Sequence, residues 1–111
     1  MDIQDKQVND ITILTIQGSI DALNAPDITE HINGLVANGN AKLIADFSGV
    51  DYTSSAGLRV LLLAVKETRS QGGDLHLFGI QPDVNKVLTL SGFDSILKIF
   101  PDIDSAIDNF S

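Results

Sequence analysis

The spacing of hydrophobic residues along the chain changes repeatedly between two periods. In "ITILTIQ" (11–17), Ile11 and Ile13 fall on one side and Thr12, Leu14 and Ile16 on the other, which predicts a β-branched strand buried on part of both faces. A shorter edge partner is expected at 3–8, joined by a hairpin turn at Asn9-Asp10. Helical spacing then takes over at 25–37, with Ile28, Ile32, Leu35 and Val36 as the apolar stripe, Asn24 as N-cap, Pro26 and Asp27 in the first turn and "NGN" (38–40) as the stop. "AKLIADF" (41–47) reads as a short interior strand, and "SGVDYTS" as the loop leading into a second helix that Gly72 and Gly73 end. "DLHLFG" (74–79) is the next strand. A third helix runs from Pro82 to Gly92 with Val84, Val87 and Leu88 on one face, followed by a strand at 96–100 and a helix at 102–110 carrying Ile103, Ala106, Ile107 and Phe110.

The resulting order is β-β-α-β-α-β-α-β-α. Strands joined through helices are normally parallel with right-handed crossovers, so the expected fold is α/β, a small, mainly parallel mixed sheet with one antiparallel edge pair and helices packed against it. At 111 residues the whole chain, 1–111, is expected to form one domain.

The segment "DYTSSAGLRVLLLAVK" (51–66) is small and hydroxylic in front and apolar behind. On a helix starting near Ser55, Leu58, Leu61, Leu62 and Val65 share the face expected to pack on the sheet, with Val60 and Leu63 on the opposite side and Arg59, Leu63 and Lys66 forming a second stripe. That second stripe is either covered by a neighbouring helix or offered to a partner protein. Ser54 is placed as N-cap, leaving the Ser55 hydroxyl in the first turn beside free backbone N–H groups. Gly57 inside the helix costs about 1 kcal/mol relative to Ala, and close approach by another molecule is one reason to keep it. Capping alone would also account for the two serines.

Composition narrows the function. Seven Lys and Arg against fifteen Asp and Glu give a net charge of −8, which argues against nucleic acid and anionic membrane as partners. Without cysteine there is no disulfide, thiolate metal site or cysteine nucleophile. The start "MDIQDKQVND" does not read as a secretory signal, and no apolar run approaches the ~20 residues of a membrane span, so a soluble cytoplasmic protein is expected.

"VDYTSSAGLRVLL", the "GSID" turn at 18–21 and "LIADFSGV" at 43–50 resemble the STAS domain of bacterial anti-sigma factor antagonists, and the match in element order covers nearly the whole chain. The resemblance implies a phosphorylation-controlled partner switch without catalytic activity or cofactor of its own. Ser55 matches the serine phosphorylated by an anti-sigma factor that is also a serine kinase of the ATP-binding, histidine-kinase-like type. A PP2C-type phosphatase would restore the unmodified form. Asp21 and Asp46 match acidic positions of the family, and Asp51, Thr53, Ser54 and Gly57 complete the surroundings of the phosphosite. Ser54 stands where many members have Asp and is the alternative acceptor. The partner-binding face is expected to comprise Ser55, Ala56, Arg59, Val60, Leu63 and Lys66.

Other functions find less support in the residues. A serine hydrolase would need a base near Ser55, but His31 falls on the first helix and His76 within a strand, and no G-x-S-x-G elbow occurs. Asp102, Asp104 and Asp108 lack the spacing and turn glycine of a calcium loop. An accessory or scaffold subunit of a lipid-transport or signalling complex, with the same fold and no phosphorylation switch, is the alternative function.

Overall fold

In the computed structural model, which describes residues 2–110, the chain first reverses at Asn9, whose φ of 56° lies in the left-handed region that asparagine tolerates. Met1 and Ser111, the ends of the expected 1–111 domain, lie outside the described residues. The reversal pairs β1 (Asp2–Val8) antiparallel with β2 (Ile11–Gln17). The remaining elements are α1 (Ala25–Ala37), β3 (Lys42–Gly49), α2 (Ser55–Ser70), β4 (Asp74–Phe78), α3 (Pro82–Ser91), a 3-10 turn (Phe93–Ser95), β5 (Lys98–Phe100) and α4 (Ile103–Asp108). The sheet runs β1-β2-β3-β4-β5, parallel from β2 onward, as the alternating periods predict.

This strand order has a structural consequence. Each right-handed crossover steps to the next strand in the same direction, so the three connecting helices fall on one face of the sheet. Leu14, Ile16, Leu43, Ala45, Phe47, Leu75 and Leu77 form the main core with residues of α1, α2 and α3 there. The other face is closed by α4, where Ile11, Ile13 and Ile44 pack with Ala106. Both faces of β2 and β3 are therefore buried, which explains their near-continuous apolar sequences.

Several boundaries differ from expectation. The strand expected at 96–100 starts only at Lys98, because the Leu97 N–H bonds to the Phe93 carbonyl at 2.9 Å and Leu97 itself is buried in the main core. The last helix starts after Asp102, whose carboxylate accepts from the Ser105 N–H at 2.8 Å and caps it. The buried arc of α2 is also shifted. Val60, expected on the outer side, is in the main core, and Leu62, expected on the sheet, is only half-buried. The buried line runs through Gly57, Leu58, Val60, Leu61, Ala64, Val65 and Thr68, so Leu58, Leu61 and Val65 lie where expected while the arc extends past Leu62 toward the small residues Gly57 and Ala64.

His76 is buried under α4. Its Nδ1 donates to the Ala106 carbonyl at 2.8 Å, and its ring stacks on Phe110 and leans on Phe100. At the start of β4, Asp74 is held by Arg69 of α2 and Lys98 of β5, each at 3.0 Å, with His76 Nε2 4.0 Å from the same carboxylate. Burial pushes the imidazole below its ordinary value of 6.5, against the opposing pull of the Ala106 carbonyl and Asp74. The unfolded chain therefore takes up this proton more readily than the folded one, and acid favours unfolding. The stabilising contribution is complete above pH 6.5 and is lost as pH falls from there through the lower folded value. An NMR titration of His76 is expected to give a pKa below 6.5, and His76→Gln to flatten the decline of unfolding free energy between about pH 7 and 5. A pKa at or above 6.5 would contradict this packing.

Candidate functional site

Two loops meet at the carboxyl ends of β2 and β3. Beyond the strands proper the parallel pairing resumes at Ile20 and Thr53, with the Ile20 N–H on the Tyr52 carbonyl at 2.9 Å and the Ser54 N–H on the Ile20 carbonyl at 2.8 Å. This brings the "GSID" turn beside the start of α2. Ile20 and Thr53 are both buried beneath that start.

Gly57 sits directly on this pair. A Cβ there would overlap Thr53 Oγ1 and crowd the Ile20 side chain. The glycine is therefore explained by packing inside the molecule, and no approaching ligand is needed to account for it.

The two serines of the expected site face different ways. Ser54 occupies the N-cap position in extended conformation, and its carbonyl accepts the Leu58 N–H at 3.2 Å. Its hydroxyl makes no cap hydrogen bond; it is turned inward, buried and without a partner. Side-chain capping by Ser54 is thus corrected. Ser55 is exposed in the first turn.

The acidic residues separate as well. The Asp21 carboxylate accepts from the N–H groups of Leu23 and Asn24 at 2.9 and 3.1 Å, while Asn24 Oδ1 accepts from the Asp21 N–H and Asn24 Nδ2 donates to the Ser19 carbonyl. Asn24 is the N-cap residue of α1 as expected, but its side chain locks this turn and makes no cap hydrogen bond. Asp21 shapes the loop beside Ser55. Asp51 accepts from the Ser19 hydroxyl at 2.9 Å and bridges the two loops.

Asp46 does not join them. In β3 it shares with Ile44 the face covered by α4, whereas Leu43, Ala45 and Phe47 point toward α1 and α2. Its carboxylate holds the Ser48 N–H and hydroxyl at 2.9 and 2.6 Å. Asp46 therefore closes the β3 end from the opposite side of the sheet from Ser55.

From Ser55 a groove of about 890 Å³ runs between α1 and α2. One wall carries Ser55, Ala56, Arg59, Val60 and Leu63, all expected in the partner face; Lys66 is exposed but does not line the groove. The other wall, Pro26, Glu30, Asn33 and Gly34 of α1, was not expected. Its only trace in the sequence is the line of polar and small residues at helical spacing beside the buried stripe of α1. Leu23 stands almost fully exposed in the locked turn, and Tyr52 and Leu63 are also exposed. Neither histidine approaches Ser55: His31 pairs with Asp5 of β1 at 2.7 Å, and His76 lies under α4.

The STAS domain family model matches residues 2–106. The chain belongs to the STAS domain family. A candidate anti-sigma factor antagonist of Bordetella bronchiseptica, BtrV, is 36% identical over 95 residues, spanning 86% of this chain and 79% of the relative. The anti-sigma-B factor antagonist of Listeria monocytogenes is 28% identical over 99 residues, spanning 89% and 86%. A crystal structure of a candidate anti-sigma factor antagonist from Thermotoga maritima superposes with a TM-score of 0.92 at 27% identity, covering 97% of this chain and 93% of that one. No helix among the described residues of this STAS domain is long and apolar enough to cross a membrane.

The packing of Gly57 in the STAS domain is open to direct test. Gly57→Ala is expected to lower stability by about 1–3 kcal/mol in urea unfolding through overpacking against Thr53 and Ile20, although Ala is the better helix former. A neutral or stabilised variant would show the contact to be slack.

Proposed function

We propose that this STAS domain is an anti-sigma factor antagonist that acts in the cytoplasm as a partner switch, without catalytic activity of its own. Unphosphorylated, it binds an anti-sigma factor that is also a serine kinase of the ATP-binding, histidine-kinase-like type, and so frees the sigma factor. The kinase transfers the γ-phosphoryl group of ATP to Ser55: the Oγ–P bond forms, the bond to the bridging oxygen of ADP breaks, and the hydroxyl proton leaves. The phosphorylated form dissociates, and a PP2C-type phosphatase returns it to the binding state.

The observation that carries this reading is the contrast between the two serines. In the "SSAGL" segment the Ser55 hydroxyl belongs to an exposed residue at the mouth of the groove, while the Ser54 hydroxyl is buried. The names of the relatives supply the partner class.

The physics of the modification supports the same direction. A phosphate adds about −1.5 to −2 charge, which the free N–H groups and dipole of a helix start accommodate, so the fold survives. An interface closed over that dianion beside Asp21 and Asp51 would bear its desolvation, and each ~1.4 kcal/mol of that cost weakens binding about tenfold.

The test uses the purified anti-sigma factor of the same host with ATP. Wild type is expected to gain one phosphate at Ser55, Ser55→Ala none and Ser54→Ala the same one as wild type, by intact mass and site mapping. Phosphorylated protein should bind the anti-sigma factor at least about tenfold more weakly than the unmodified form. Equal binding by the two forms would overturn the switch.

A further inference from the structure

The groove contains two charged residues with no described partner. Arg59 on the α2 wall and Glu30 on the α1 wall are both exposed and line the same cavity. The ion pairs of the described residues lie elsewhere, at Asp5 with His31, Asp10 with Lys42, and around Asp74. Between these charges the walls are apolar or small, including Ala56, Val60 and Leu63. A trench between two parallel-running walls, with opposite charges left free on its sides, matches an amphipathic helix that carries a carboxylate toward α2 and a cation toward α1.

Arg59 has a second relation, to Ser55. The two residues are four apart on α2, hence neighbours on one side of the helix, and both line the groove. An acidic group N-terminal to a basic one at this spacing is the favourable order for a helix pair. A phosphate on Ser55 is such a group, with more charge than a carboxylate and the oxygen geometry that a guanidinium grips in bidentate fashion.

We infer that Arg59 couples the phosphorylation of Ser55 to the α1–α2 groove: in the unmodified protein it pairs with a carboxylate on an amphipathic helix of the anti-sigma factor seated there, and in the modified protein the Ser55 phosphate captures it. This rests on the proposed phosphorylation of Ser55 and adds how the phosphate is felt away from its own site. The modification then acts twice, by placing a dianion at the mouth of the groove and by removing from its wall the cation that held the partner. The surrounding surface sharpens the effect, because the chain carries a net charge of −8 and Arg59 is the basic residue lining this cavity.

Phosphoserine placed at position 55 by genetic-code expansion allows the pairing to be read whether or not the host kinase uses that site. By phosphorus NMR, the second pKa of the phosphate, ordinarily about 6, is expected to rise by about 0.5 unit in Arg59→Gln and to stay near the wild-type value in Arg59→Lys. An unchanged pKa in Arg59→Gln would overturn the capture.

Binding to the purified anti-sigma factor supplies the other half. Unmodified Arg59→Gln is expected to bind about tenfold more weakly than wild type, and phosphorylation should weaken it by a smaller factor than it weakens wild type. Equal phosphorylation factors in the two proteins would overturn the coupling even if the switch itself stands, whereas failure of unmodified wild type to bind would remove the switch on which it rests. Exchange of the backbone amides of residues 25–34 should slow in the complex; protection confined to α2 would show the groove empty. Self-association that depends on Arg59 would place a second copy there and overturn the assignment of the anti-sigma factor.

Discussion

The contact of Gly57 with Thr53 and Ile20 is the constraint on which the site depends. Two loops that leave adjacent parallel strands have no intrinsic reason to stay together, and backbone bonds at Ile20 and Ser54 hold them only where the first turn of α2 can come down on the pair. A side chain at position 57 would lift that turn. The locked turn at Asp21 to Asn24, the bridge from Asp51 to Ser19 and the exposure of Ser55 are all built around this seat. The glycine's weak helical propensity is offset by the close packing it permits.

The sheet separates two kinds of chemistry. Successive crossovers in one direction place α1, α2 and α3 together, so the gap between α1 and α2 opens beside the carboxyl ends of the strands, where open α/β sheets commonly bind their ligands. The opposite face carries the buried His76 under α4, and Asp74 is neutralised there by cations from two elements. Burial by itself raises the Asp74 carboxyl, but hydrogen bonds from Lys98, Leu75 and Arg69 outweigh it and hold the group below its ordinary range. The charged network on that side is spent on stability. Among the described residues, Arg59 and Glu30 of the groove have no ion-pair partner.

The proposed switch would need little motion. A helix start offers free N–H donors and a positive dipole end, so under the proposed function a phosphate there would be tolerated locally and felt at the interface. An interface whose centre is apolar and whose wall carries one cation is sensitive to a charge of opposite sign placed one turn away. The hydroxyl of Ser54 is buried and unpartnered, whereas Ser55 beside it is exposed.

Much of this was legible in the order of residues. Alternation in Ile11 to Gln17 and helical spacing around Ile28 and Ile32 identify elements, because each reports which neighbouring side chains must be buried together within a few residues. The "SSAGL" segment, set between a loop and a leucine run, marked the family. Relations across the fold were not local and so were not legible. The shift of the α2 face toward Gly57 and Ala64, the inward turn of Ser54, the separation of Asp46 from Ser55 by the thickness of the sheet, and the α1 wall of the groove all depend on what another element brings alongside. The sequence by itself determined the elements and their order, since periodicity records burial along one segment; which side chains share a site was decided by tertiary packing, since that depends on distances between segments that no period encodes.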